Sequence, residues 1–97
     1  MTKKTTNLID KKLASAWQIV SELRALSEKK PDGWLDKTHG LIGRAEMLFF
    51  EVEALVESLP EGEDRAFYTN TTIRRSQQLF DLEEKIAKDS VEKELGE

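Results

Sequence analysis

His39 is the only histidine in the chain. Asp36 stands three residues before it, an i, i+3 pair that could hold a metal ion if other helices added carboxylates. Carboxylates are at hand. Glu46, Glu53 and Glu57 repeat on one face of one periodic segment, and Glu83, Glu84 and Asp89 fall near one another on a later one. Clusters of this kind would suit a metal-dependent all-helical enzyme. Against that reading, 35% of the residues are charged, so acidic coincidences follow from composition alone.

Other catalytic chemistry has less support. Cysteine is absent, which removes disulfides, thiolate metal sites and a cysteine nucleophile. A single histidine gives no support to a Ser-His-Asp arrangement. Gly40 and Gly43 lie inside a helical pattern and form no phosphate-cradling loop. The chain is therefore expected not to be an enzyme, with no catalytic, cofactor-binding or metal-ligating residues.

Two turns divide the elements that carry these residues. "KKPDGW" (29–34) and "LPEGED" (59–64) each combine Pro, Gly and Asp after a strongly periodic stretch, the composition that ends helices and turns the chain. No stretch alternates at period two, so no strand is expected. The reading is all-α, with helices over about 7–29, 34–59 and 64–93 and Asn7 as N-cap of the first. Connections this short make neighbouring helices antiparallel, giving an up-down-up three-helix bundle. Residues 1–97 form one domain, with 1–6 and 94–97 read as flexible tails.

The net charge of −4 is unevenly spread. Four lysines, Lys3, Lys4, Lys11 and Lys12, lie in the first twelve residues, and the acidic excess follows them. A basic tail before an acidic body lacks the basic stripe that duplex nucleic acid requires, so nucleic acid is not an expected partner. No apolar run approaches the ~20 residues that span a bilayer, and "MTKKTTNLID" has no signal-peptide apolar core. No membrane partner is expected, and the expected location is cytoplasmic.

Helical spacing then sorts the faces. The second helix carries Ile42, Ala45, Phe49, Val52, Val56 and Leu59 at steps of three and four, a coiled-coil-like seam. The expected core is Leu13, Val20, Leu23, Ile42, Phe49, Val52, Val56, Ile73 and Phe80. In the third helix the large apolar residues split into two flanks, Tyr68, Leu79, Leu82 and Ile86 against Ile73, Phe80, Ala87 and Val91. Thr69, Thr72, Ser76, Glu83 and Ser90 lie between them. This polar seam is read as small hydroxyls that allow close helix packing, each bonded to a carbonyl about one turn back. A groove floor is the other reading.

Phe50 does not fit the core seam. It lies ~80° beyond Ile42 on a 100° per residue wheel, among Glu46, Glu53 and Glu57, with Met47 and Ala54 extending a second stripe. An aromatic residue ringed by polar ones is what an interface anchor looks like. The candidate partner-binding residues are therefore Phe50, Met47, Glu46, Glu53, Glu57 and Ala54. The partner would be another protein with a basic-rimmed apolar pocket.

The functional expectation is a small non-catalytic protein-binding module that acts stoichiometrically: an inhibitor, an immunity or antitoxin-like protein, or an adaptor or chaperone-like protein, of the kind bacterial and phage genomes encode as short chains. A structural homodimer through the second helix is the alternative, and the carboxylate enzyme a further one.

Overall fold

The two Pro-Gly turns separate three helices, α1 (Thr2–Lys29), α2 (Trp34–Glu57) and α3 (Glu63–Leu95). The computed structural model describes the backbone of residues 2–95 and the side chains of residues 3–91. No strand occurs among the described residues. The helices run up, down and up in a rod of 55 × 17 × 16 Å. The long dimension is close to the ~50 Å expected of a 33-residue helix.

α1 ends where Lys30, immediately before Pro31, adopts φ 49° and returns its N–H to the Leu26 carbonyl at 2.8 Å. A residue preceding proline is disfavoured in the α-helical region, so the helix stops there. Gly33 caps α2 at φ 76°, ψ 14°. A side chain strains this left-handed conformation, and glycine does not. α1 starts at Thr2, five residues before the expected Asn7 cap. Residues 2–6 contain no Pro or Gly to stop the helix, and Thr6 bonds back to the Lys3 carbonyl at 3.0 Å. At the other end α3 reaches Leu95, and 96–97 of the expected 94–97 tail lie outside the described residues.

The core is one continuous body in two parts. Ala16, Ile19, Val20 and Leu23 of α1 pack with Trp34, Ala45 and Phe49 of α2 and with Leu79, Leu82 and Ile86 of α3. Toward the other end, Ile9 meets Val52, Val56 and Leu59, and Leu13 packs against both parts. Leu23 and Val52 are fully sealed from solvent, and burial at that level is worth roughly 1.5–3 kcal/mol per large apolar side chain. α1 and α2 are the most closely packed pair, and α3 lies along them with more of its contact on α2 than on α1.

Two expected core residues are not in it. Ile73 is 59% exposed and Phe80 54% exposed. The flank of α3 that docks is the other one: Leu79, Leu82 and Ile86 are buried, Tyr68 is half-buried, and Ala87 and Val91 are exposed. The polar line between the flanks is thus the edge of the α3 contact and not its deepest part. Of its members Thr72 is buried, Ser76, Glu83 and Ser90 are half-buried, and Thr69 is exposed.

Polar contacts that join α3 to α1 and to the turn after it lie on the docked flank as well. Arg75 sits 4.1 Å over the Trp17 ring, which Arg24 also approaches at 5.8 Å. Tyr68 donates to Asp10 at 2.8 Å, and Lys30 pairs with Asp89 at 3.3 Å.

Candidate functional site: the groove between α2 and α3

Glu46 of α2 and Glu83 of α3 are neighbours across the helix contact. One helical stretch away, Glu53, Val56 and Glu57 face Thr69, Thr72 and Ile73 across a cleft of about 210 Å3. These two meetings set the antiparallel register. Phe50 lies between Glu46 and Glu53 in sequence, so it comes level with the stretch of α3 between Ile73 and Glu83. On a 100° per residue wheel Phe50 projects ~40–60° outward from Glu46 and Glu53, and Ile73 and Phe80 project ~40–80° outward from Glu83 and Ser76. The result is a shallow groove with carboxylates in its floor and large apolar side chains on both walls.

Phe50 is the most exposed large apolar side chain among the described residues at 69%. It is not covered by α1 or α3, although it neighbours Phe49, which is buried. Glu46, Glu53 and Glu57 are exposed on the same side, as is Ala54. Met47 is also exposed, but it belongs elsewhere. It lines a cleft between α1 and α2 with Ile19, Glu22 and Leu48. The structure therefore divides the stripe read from the sequence: the three glutamates surround the Phe50 side of α2, and Met47 faces the α1 side.

Ile73 and Phe80 were missed as surface residues. Their seven-residue spacing, continued by Ala87, resembles a core heptad, and only the position of α3 against the hairpin shows that it faces out. A signal did exist in the sequence. The two apolar flanks of α3 lie too far apart around the helix for both to meet the same pair of neighbours.

The groove is acidic. Among the described residues the ion pairs are Lys12–Glu51 and Lys30–Asp89, so Glu46, Glu53, Glu57 and Glu83 have no basic partner. Oε2 of Glu83 is sealed from solvent with no donor among the described residues, and the group its carboxyl hydrogen-bonds, when protonated, is the Glu46 carboxylate. Burial, and then the Glu46 carboxylate beside it, raises the Glu83 carboxyl above its ordinary value. Arg74, Lys85 and Lys88 are exposed and project from other faces of α3. Arg65 lines a hollow with Glu61, Ala66 and Asn70 that shares Thr69 with the cleft, at one end of the groove.

Two hydroxyls of the seam are satisfied locally. Thr72 donates to the Tyr68 carbonyl at 2.7 Å, and Ser76 to the Ile73 carbonyl at 3.1 Å. This is the packing arrangement at Thr72. Thr72 still borders the cleft, and at the exposed Thr69 the line opens into it.

His39 and Asp36 are both exposed, and no three described His, Asp or Glu side chains converge as a metal-ligating group. No helix among the described residues is long and apolar enough to cross a membrane. A second, larger cleft of about 690 Å3 lies on the α1–α2 side, with Ala25, Leu26, Pro31, Gly40 and Leu41 inside a rim of both charges.

No family model, no characterised protein and no solved structure matches the chain.

Proposed function

We propose that this chain is a small, non-catalytic protein-binding module that acts stoichiometrically in the cytoplasm, as an inhibitor, an immunity or antitoxin-like protein, or an adaptor or chaperone-like protein. The observation that carries the reading is the exposure of Phe50 at 69% among unpaired glutamates. Left in water, an aromatic ring gains none of the free energy that burial supplies. Ringed by polar residues, it has the form of an interface anchor. Ile73 and Phe80 on the facing helix extend the apolar surface and raise the weight of this reading.

A partner of different sequence is favoured over a homodimer through α2. Two copies meeting on this face would set Glu46, Glu53, Glu57 and Glu83 against their own counterparts. The basic residues of α2 that could cross over, Lys37 and Arg44, line the α1–α2 cleft instead.

The test is solution mass followed by capture. Light scattering of the purified chain is expected to give a monomer, and the protein captured from its native cells is expected to reassemble with it from purified components in a fixed ratio. A stable dimer that survives Phe50→Ala and captures nothing would overturn the reading.

A further inference from the structure

We infer that the α2–α3 groove is the docking site for a single amphipathic helix of a partner protein, about five turns long, whose apolar stripe is flanked by lysines or arginines. The inference deepens the binding-module reading and rests on it.

The walls define the shape of the occupant. Ile73, Phe80 and Ala87 repeat every seven residues on the outer flank of α3, the spacing at which a further helix packs its own apolar seam. Phe50 faces them from α2. From Ile73 to Val91 is eighteen residues, about 27 Å of helix axis, so the exposed stripe matches a helix of similar length lying along the groove. Such an element would complete a four-helix arrangement on the side where α2 and α3 lack a cover.

The floor defines the charge of the occupant. Among the described residues Glu46, Glu53, Glu57 and Glu83 have no basic partner along it, and one Glu83 oxygen has no donor. A lysine or arginine reaching between apolar anchors would meet the Glu46–Glu83 pair and supply the missing donor. An acidic helix, or a second copy of this face, would add to the repulsion.

Gly43 lies on the same face of α2. It stands in the middle of the helix, where glycine is less favourable than alanine. A Cβ added there would meet nothing within 4 Å, as at Gly40, which lines the α1–α2 cleft, so packing inside the chain gives no reason for either glycine. On the helix wheel Gly43 falls ~20° from Phe50, and by the register above it comes roughly level with the Ile86–Ala87 turn of α3. Small residues at one level leave an incoming helix room to approach the backbone.

The test uses the full chain labelled with nitrogen-15 and three synthetic peptides of about five turns: a leucine-striped helix flanked by lysines, the same helix with glutamates for lysines, and a scrambled lysine peptide without a stripe. The striped basic peptide is expected to shift the amides of Gly43, Phe50, Ile73 and Phe80 saturably. Its affinity should exceed those of the other two by at least about tenfold, the ratio equivalent to 1.4 kcal/mol. Gly43→Leu is expected to weaken binding by a similar factor with no fall in melting temperature. Binding of the scrambled peptide as tightly as the striped one, shifts confined to Leu26 and Leu41 in the other cleft, or no saturable shift would each overturn the inference. If the native partner is captured through Phe50 while the basic peptide fails, the binding-module reading stands and the helix inference alone is lost.

Discussion

Glu83 of α3 and Glu46 of α2 meet across the helix contact with no cation between them, and one Glu83 oxygen is sealed away without a hydrogen bond. Burial is the larger cause of the raised Glu83 carboxyl and Glu46 the smaller. A carboxyl whose folded value lies above its unfolded value stabilises the protein most when protonated. Its contribution is fully present below the unfolded value and is lost as pH rises through the folded one. Thermal melts should show Glu83→Gln to be more stable than the parent at about pH 7, with the difference closing toward pH 4, below the ordinary value of 4.5. A mutant that melts lower at neutral pH would mean that Glu83 holds α3 in place by a contact the repulsion does not outweigh.

Arg75 explains part of the polar run "TNTTIRRSQQ". Its guanidinium lies 4.1 Å over Trp17 and joins α3 to α1, whereas Arg74 beside it is exposed. Arg75→Ala should cost about 0.5–2 kcal/mol in denaturant unfolding, the range of a cation over an indole face. Arg74→Ala should stay within about 0.5 kcal/mol of the parent. Equal effects would remove the assigned role of the Arg75 contact.

Tyr68 is the only tyrosine, so its titration is read directly by ultraviolet absorbance. Burial first, and then the Asp10 carboxylate that accepts its hydrogen bond at 2.8 Å, push the phenol up to about 12. The stability linked to it is present below the ordinary value of 10.0 and is lost as pH rises toward 12. Asp10→Asn should lower the titration midpoint only part of the way, because burial remains. A return to the ordinary value would make Asp10 the main cause.

The helices were legible in the sequence because their limits are local chemistry: Pro31 with Gly33, and Pro60 with Gly62, interrupt strong periodicity. Phe50 was legible for a similar reason, as an aromatic residue out of phase with its own seam. The docked flank of α3 was not. Ile73 and Phe80 have the same spacing as core residues, and helical period says nothing about which of two apolar flanks meets the neighbours. Long-range pairs select the flank, Arg75 with Trp17, Tyr68 with Asp10 and Lys30 with Asp89, and each joins residues more than fifty positions apart. The division of Met47 from Phe50 has the same origin, since it depends on where α1 and α3 sit around α2.

Thr72 should behave as a packing residue. It is buried, and its hydroxyl bonds the Tyr68 carbonyl within the same helix. Thr72→Leu adds volume at a tight contact and should cost about 1–3 kcal/mol. Ser76→Ala, at the edge, should change stability by less than about 1 kcal/mol. The two unfolding curves check this directly, and an indifferent Thr72→Leu would mean that α3 is not closely packed there.

The binding role of the Phe50 face is tested most directly by Phe50→Ala, measured for melting temperature and for affinity toward the captured partner, side by side with the parent. Because the ring is mostly in solvent, its removal should leave the melting temperature nearly unchanged, as for a surface substitution, and should weaken partner binding by at least about tenfold. A mutant that melts several degrees lower and still binds its partner fully would make Phe50 a structural residue and contradict the account.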